Sequence, residues 1–178
     1  MWDEPAVDAI TALALRARSG DVAAAEEFIR STQVDVWRTC LYLGDRGSAD
    51  DLTQETYARA FASIHRFAGR SSAKTWLLAI ARNVCSDAVR AAIRERSRRP
   101  EPPELTRPAD DSVHLRMLLA ALPLDRREAF VLTQLLGYSY AEAADVCAVG
   151  TIRSRVARAR DELQAAVAAD GDPRRAQQ

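Results

Sequence analysis

Four arginines crowd one short stretch near the end of the chain, TIRSRVARARDELQ, above an apolar stripe. On a helical wheel one side must face a core and carries Ile152, Val156, Ala159 and Leu163. The other side presents small and polar residues flanked by arginines: Ser154, Ala157, Asp161, Arg153 and Arg158, with Arg155 and Arg160 nearer the core boundary. Such a helix suits a DNA major groove, where arginines hold phosphates or read guanine edges. Taken alone, a solvated amphipathic helix is the more ordinary interpretation.

Two short helices are predicted immediately before the arginine helix. Asp125 and Glu128 resemble a capping box for a helix that ends near Gly137. Ser139 and Glu142 form a second box, which opens the helix YAEAADVC. Thr151 can cap the arginine helix itself. Capped helices joined by short turns predict a helix-turn-helix, and this context favours DNA binding over a merely solvated face.

The net charge of zero hides a segregation of charge along the chain. Acidic residues dominate between Asp21 and Ile64, whereas arginines dominate between Arg66 and Arg99. An acidic surface followed by a basic one predicts two different kinds of partner.

The segment GSADDLTQETYARAFASIHRF predicts an acidic helix with Ser48 as its N-cap. Its buried stripe consists of Leu52, Thr56, Tyr57, Ala60, Phe61 and Ile64. The opposite face carries Asp51, Gln54, Glu55 and Ala58. On these residues alone a solvated face is the more ordinary interpretation.

The next segment, GRSSAKTWLLAIARNVCSDAVRAAIRER, predicts a polar loop followed by a basic helix. The core stripe of the helix consists of Leu77, Ile80, Ala81, Val84 and Ala88, and the other face carries Asn83, Asp87, Arg90 and Arg94. The loop GRSSAKT can approach a nucleic-acid backbone or hold an extruded base. Trp76 is either a stacking platform or, more commonly for such a position, a core residue.

The whole pattern is helical, without a convincing alternating strand. We expect a first helical domain over 8–96, with turns at Gly20, Gly44, Gly47 and Gly69. A proline-rich, charged linker follows over 97–112, then a second helical domain over 113–168 and a frayed tail over 169–178. The acidic N-terminus, without a signal-peptide pattern or membrane span, predicts a cytoplasmic protein.

No catalytic or metal-binding pattern is visible. The cysteines, Cys40, Cys85 and Cys147, are far apart and form no C-x-x-C pair, so we expect buried thiols. His65 and His114 are separated, and no Ser/His/Asp or paired-carboxylate arrangement accompanies them. We therefore expect no enzyme activity, no metal site and no obligatory cofactor.

The motifs resemble a known family. SADDLTQETYARAF followed by RSSAKTWLLAIARNVCSDAVR closely resembles conserved region 2 of bacterial RNA polymerase sigma factors. LPLDRREAFVLTQLLGYSYAEAAD with VGTIRSRVARAR resembles region 4. Two such domains joined by a short linker are similar to the extracytoplasmic-function (ECF) subfamily, and the resemblance spans about residues 12–166. It implies an all-α fold, with a region 2 helical bundle and a region 4 helix-turn-helix joined by an extended linker.

The resemblance also implies roles for individual residues. In the family, the acidic helix docks on the clamp helices of the largest catalytic subunit of core RNA polymerase, which implicates Asp50, Asp51, Leu52, Gln54 and Glu55. The loop and basic helix engage the −10 promoter element as a single strand, which implicates Arg66, Phe67, Ser71, Ser72, Lys74, Thr75, Trp76, Arg82, Asn83, Asp87 and Arg90. The helix-turn-helix reads the −35 element as a duplex, which implicates Thr151, Arg153, Ser154, Arg155, Ala157 and Arg158. Asn83 and the loop are the foremost candidates for the −10 element.

The implied protein is an alternative sigma factor whose partners are core RNA polymerase, promoter DNA and, as in many relatives, an anti-sigma factor. Catalysis and Mg²⁺ belong to the polymerase in this family. One alternative is a free-standing helix-turn-helix regulator, which would not need the acidic face and would bind a palindromic duplex by itself. Another is a helical adaptor, which would tolerate loss of the arginines in TIRSRVARAR.

One feature departs from the family. Members usually have about two more residues, commonly including Gly and Pro, between the helix YAEAADVC and the segment VGT. Either the turn at Cys147 and Ala148 is shortened, or residues are missing from the sequence there. Bonded residues have Cα atoms about 3.8 Å apart, so a clearly longer separation would indicate missing residues.

Overall fold

The computed structural model describes residues 7–44, 49–98, 111–147 and 151–170. These residues form helices and no β-strand, so the predicted all-α fold is confirmed. The α-helices are α1 (Ala9–Arg18), α2 (Val22–Leu43), α3 (Ala49–Ser63), α4 (Ala73–Arg98), α5 (Asp111–Ala121), α6 (Leu124–Phe130), α7 (Tyr140–Cys147) and α8 (Ile152–Asp170). A 3₁₀ turn (Ile64–Arg66) follows α3, and a π-helical turn (Val131–Leu135) follows α6. No helix in these ranges is long and apolar enough to cross a membrane.

The chain divides into two compact units, residues 1–87 and 88–178. The division falls within α4, which continues to Arg98, whereas the sequence places the end of the first domain at 96. The Cys147–Ala148 turn, most of the predicted linker, Gly47, Ser48 and the tail beyond Asp170 lie outside the described residues.

Aspartates begin the first two helices. Asp8 accepts the Thr11 N–H at 3.0 Å, and Asp21 accepts the Ala24 N–H at 3.0 Å, as N-caps do. The Ala24 N–H, and then Arg16, hold the pKa of Asp21 below its ordinary value. Gly20 lies between the two helices with a φ of 92°, in the left-handed region that favours glycine.

The first unit buries the stripes that the sequence predicts. The fully buried large side chains come from α2 and α4 and include Phe28, Val36, Leu43, Leu77 and Leu78. From α3, Leu52, Thr56 and Ala60 face this core, while Asp51, Gln54, Glu55 and Ala58 are exposed. The exposed face predicted for the acidic helix is therefore confirmed, whereas Tyr57, Phe61 and Ile64 of its predicted buried stripe are only half-buried.

Gly44, the residue after α2, lies very close to Leu52 of α3. A Cβ on this residue would lie 2.5 Å from Leu52 Cδ1 and 2.6 Å from the Cys40 carbonyl oxygen. Real Cβ atoms essentially never come so close. A glycine is therefore required here by space and not by its φ of −72°.

The cysteines are free and buried, as predicted. Cys40 of α2 hydrogen-bonds with Cys85 of α4, and this contact is the main cause that lowers the pKa of the Cys40 thiol. The Cys40 Sγ atom also lies 3.9 Å from the Thr56 hydroxyl oxygen. These thiols serve as small core groups with weak polar contacts.

In the second unit, the predicted capping box of Asp125 and Glu128 is wrong. Helix α6 begins two residues earlier than this box predicts, after Pro123, which occupies the N-cap without a side-chain hydrogen bond. Glu128 is buried, and Arg127 donates at 2.7 Å to the carbonyl of Ala120, near the end of α5.

The second predicted capping box is confirmed. The Ser139 hydroxyl and backbone N–H both donate to Glu142 Oε2, at 2.7 and 2.8 Å, and the Glu142 N–H returns to Ser139 Oγ at 3.2 Å. Gly137, with a φ of 76°, ends the preceding helical segment as predicted. Helix α7 therefore begins where the sequence places it.

Helix α8 buries Ile152, Val156 and Ala159 of the predicted core side of the arginine helix, whereas Leu163 is half-buried. The residue before it, Thr151, accepts the Arg155 N–H on its carbonyl at 3.2 Å. The helix extends to Asp170, two residues beyond the predicted domain end.

Candidate functional surfaces

The acidic surface consists of Asp50, Asp51, Gln54 and Glu55, which are all exposed on α3. Leu52, assigned to the same contact by the resemblance, is only 8% exposed and packs beneath this surface. The Trp37 indole N–H of α2 donates to Asp50 Oδ1 at 2.8 Å. Trp37 itself is 39% exposed, so an aromatic ring lies beside the carboxylates.

Arg59 links the acidic surface to α4. Its Nε lies 2.7 Å from Glu55 Oε1, and its Nη1 lies 3.0 Å from Asp87 Oδ2. These hydrogen bonds, first that with Glu55 and then that with Asp87, raise the pKa of Arg59. Because all three side chains are exposed, each pair contributes little to stability, about 0–1 kcal/mol. The bridge instead fixes where the Asp87 carboxylate points.

We call residues 67–72, which lead into α4, the promoter loop, after the −10 contact that the resemblance implies for them. The residues assigned to the −10 element differ in their accessibility around this loop. Exposed members are Arg66, Ser71, Asn83, Asp87 and Arg90; half-buried members are Ser72, Lys74, Trp76 and Arg82; buried members are Phe67 and Thr75. The structure thus brings an amide, a hydroxyl and arginines to the surface, where they can meet a nucleic acid.

The buried members support the exposed ones. The Phe67 ring, 4% exposed, packs against Trp76 with 4.9 Å between ring centroids. Trp76 is therefore partly a core residue, as the sequence favours. Ser72 caps α4: its Oγ accepts the Thr75 N–H at 3.0 Å and donates to Thr75 Oγ1 at 2.8 Å.

Lys74 begins α4 in an ion pair that the sequence does not reveal. Its Nζ lies 2.6 Å from Asp35 Oδ2 of α2. Both side chains are about one-third exposed, at 34% and 28%. A phosphate that approached Lys74 would therefore compete with Asp35 for the same ammonium group.

Sequence reasoning missed two residues of α1, one that contacts the promoter loop and one that contacts the first residue of α4. Arg18 Nη1 donates to the Phe67 carbonyl at 2.8 Å, and Thr11 Oγ1 accepts the Ala73 N–H at 2.8 Å. The Asp8 and Thr11 spacing is an N-cap pattern that could have drawn attention to Thr11. Nothing local identifies Arg18, because its partner is a backbone carbonyl distant in sequence.

On α8 the residues assigned to the −35 element do not all face outward. Exposed members are Thr151, Arg153, Ser154, Ala157 and Arg158. Arg155 is instead held toward α6, with its Nε 3.4 Å from Asp125 Oδ2 and its side chain 23% exposed. The exposed face therefore presents Arg153 and Arg158, with the small residues Ser154 and Ala157 between them, a shape that a major groove accepts.

Among the described residues no group of three or more His, Cys, Asp or Glu side chains could hold a metal ion. The charged residues of the surfaces described above are engaged in ion pairs or exposed to solvent, which suits binding to charged macromolecules.

The matched families coincide with the two sets of surfaces. Sigma-70 region 2 matches residues 28–95, and sigma-70 region 4 matches residues 113–163. The chain is 55% identical over 168 residues to the ECF RNA polymerase sigma factor SigC of Mycobacterium tuberculosis, covering 89% of this chain and 91% of that protein.

Solved structures show the same fold. The structure of CnrH in complex with the cytosolic domain of CnrY gives a TM-score of 0.75 at 27% identity, covering 92% of this chain and 100% of that one. The sigma factor RpoE of Bartonella quintana, in complex with the anti-sigma factor NepR, gives 0.68 at 29% identity, covering 84% and 99%. The chain therefore belongs to the ECF RNA polymerase sigma factors, the family that directs promoter-specific transcription initiation.

Proposed function

We propose that this sigma factor docks on core RNA polymerase through the acidic surface and reads promoter DNA with the promoter loop, α4 and α8. The observation that carries this proposal is the exposure of Asp51 and Glu55 above a buried stripe of α3. Such a face lies outside the packed core of its own unit, while its charge complements basic clamp helices of the polymerase. The acidic stretch of the chain would therefore face the polymerase, and the basic stretches would face the DNA.

Recognition of the −10 element falls to the exposed residues around the promoter loop. Asn83 can hydrogen-bond a base edge, while Arg66 and Arg90 can hold phosphates. The loop tip can accept a base that has left the stack, which is the form in which a single strand is read. The −35 element is read as duplex by the exposed face of α8, led by Arg153 and Arg158.

The proposed activity is cytoplasmic, because its binding partners are promoter DNA and core polymerase. It is non-enzymatic, because the chemistry of transcription belongs to the polymerase. The complex of the Bartonella quintana relative with an anti-sigma factor supports an anti-sigma factor as a further partner.

Run-off transcription tests the proposal directly. Purified core polymerase, free of other sigma factors, is mixed with this chain and a panel of genomic promoter fragments. We expect a discrete new transcript that disappears in Asp51→Arg with Glu55→Arg. The matched control, Glu26→Arg with Asp145→Arg, makes the same change in net charge at exposed positions elsewhere and should keep the transcript.

The alternatives give different results. A free-standing regulator would yield no sigma-dependent transcript, would be insensitive to the reversal at Asp51 and Glu55, and would bind a palindromic duplex alone. A helical adaptor would keep its activity in Arg153→Ala with Arg158→Ala, whereas the proposed sigma factor loses −35-dependent initiation.

A further inference from the structure

One face of α1 lies along the promoter loop. Thr11, Leu15 and Arg18 follow one another at i, i+4 and i+7 and therefore share a face of the helix. Each of the three contacts a different part of the connection into α4. Helix α1 precedes residues 28–95, so these contacts come from outside the segment that matches region 2.

Thr11 holds the end of the connection. Its hydroxyl donates to Asp8 Oδ2 at 2.5 Å and accepts the Ala73 N–H at 2.8 Å. Thr11 is 3% exposed and Ala73 is fully buried, so water does not replace this acceptor readily. The pair of bonds joins the first turn of α1 to the first turn of α4, and its loss leaves a buried donor unpaired.

Arg18 holds the start of the loop, and Leu15 lies against its bend. The Arg18 guanidinium donates to the Phe67 carbonyl at 2.8 Å. Gly69 has a φ of 70°, and a Cβ there would be 3.6 Å from Leu15 Cδ1. Between these supports Arg70 and Ser71 are exposed at the tip. The loop is therefore fixed at both ends and open in the middle.

We propose that Thr11 and Arg18 are positioning residues that set the shape of the promoter loop and, through it, the base that the loop prefers in the −10 strand. This inference rests on the proposed function. A loop that already has the base-accepting shape loses less conformational entropy on binding. Because its shape is fixed, it binds bases that do not fit more weakly. Neither residue needs to touch DNA for this effect.

The test uses holoenzyme reconstituted with core polymerase and labelled single-stranded −10 oligonucleotides carrying each base at each position. Thr11→Val keeps the shape and removes the hydroxyl, and Arg18→Met keeps the length and removes the donors. We expect each to reduce discrimination for the preferred base at one position about tenfold, equivalent to ~1.4 kcal/mol. Affinity for core polymerase should stay within about twofold, since the acidic surface is untouched.

Conservative variants and a matched control separate positioning from general damage. Thr11→Ser and Arg18→Lys retain a hydroxyl and a donor, so they should recover base discrimination. Arg16→Met changes an arginine of the same helix whose guanidinium bonds Asp21 at 2.6 Å, and it should leave the base profile unchanged. Thermal melting shows whether each variant is folded. If Thr11→Val is unfolded, the positioning role is tested with Arg18→Met alone, because Arg18 is exposed.

Asn83→Ala distinguishes a failure of the positioning role from a failure of the proposed −10 surface. If Asn83→Ala flattens the base profile while Thr11→Val and Arg18→Met retain it, the positioning role is overturned and the proposed −10 surface stands. An equal loss of affinity for every base in the α1 variants, with unchanged ratios, overturns it too. If Asn83→Ala and the α1 variants all leave the profile unchanged, the −10 assignment itself fails.

Discussion

Trp37 and Asp50 are joined across two helices by a hydrogen bond of 2.8 Å from the indole N–H to the carboxylate. The ring fixes the first carboxylate of the acidic surface while remaining partly exposed itself. One end of the proposed polymerase contact is therefore held in place before binding, which lowers the cost of ordering it on association.

Trp37→Phe removes the donor and keeps an aromatic ring. We expect affinity for core polymerase to fall roughly threefold, because an exposed hydrogen bond contributes about 0.5–1 kcal/mol. Competition with labelled wild-type protein measures this loss. In an Asp50→Ala background the same change should cost nothing further; an undiminished loss there would assign the effect to the ring instead of the hydrogen bond.

The arginines of α8 should differ in their contribution to −35 binding. Arg153→Ala and Arg158→Ala should each reduce the slope of log K against log salt concentration for holoenzyme binding by the amount that one phosphate contact contributes, about 1. Arg155→Ala should have a smaller effect, since Asp125 already holds its guanidinium at 3.4 Å. Binding to a −35 duplex at a series of KCl concentrations measures the slopes. Equal slopes for Arg153→Ala and Arg155→Ala would contradict the assignment.

Gly44→Ala should destabilise the first unit by about 1–3 kcal/mol, the usual cost of overpacking. The added methyl would collide with Leu52 and with the backbone carbonyl of Cys40. Urea unfolding followed by tryptophan fluorescence measures the change. Gly20→Ala is the control: its Cβ would meet no atom within 4 Å, so only the cost of its positive φ remains. A larger loss at Gly20 than at Gly44 would refute the steric explanation.

Tyr57 should make the first unit sensitive to alkali. Burial raises the pKa of Tyr57 to about 12, against the opposing hydrogen bond to Thr32. An unfolded tyrosine ionises near pH 10. The unfolded state therefore loses its proton first, and the stabilising contribution present below pH 10 declines as pH rises toward 12.

Urea midpoints at pH 8 and pH 11 measure this dependence. We expect the free energy of unfolding to fall between pH 8 and pH 11 in the wild type. In Tyr57→Phe this fall should be smaller, by up to about 1 kcal/mol, allowing for the partial exposure of the ring. Tyr42→Phe removes a half-buried tyrosine from α2 as the control and should retain the wild-type drop. The same drop in all three proteins would rule out Tyr57 as its source.

Local patterns in the sequence were enough to predict the helix faces and one capping box. The acidic face of α3 and the pair of Ser139 and Glu142 depend on residues only three or four positions apart, so periodicity captures them. The start of α6 was predicted wrongly because Pro123 occupies the N-cap without a side-chain hydrogen bond, so no polar cap marks it in the sequence. Arg127 donates to the carbonyl of Ala120, and a buried arginine with a backbone partner resembles an exposed one in sequence.

The contacts that shape the candidate surfaces were not predictable for a related reason. Arg18 reaches Phe67, Trp37 reaches Asp50, and Lys74 reaches Asp35, each from one helix to another element. No period relates such partners, since helix packing alone brings them together. The resemblance to the family suggested the candidate surfaces, but it did not distinguish Phe67, which is buried, from Ser71, which is exposed.

The bridge of Arg59 between Glu55 and Asp87 has an evolutionary consequence. A substitution at Glu55 that suits the proposed polymerase contact also changes the guanidinium beside Asp87 on α4, the helix that we propose binds DNA. Selection on one surface therefore acts on the other, and positions 55, 59 and 87 should covary among relatives instead of drifting separately.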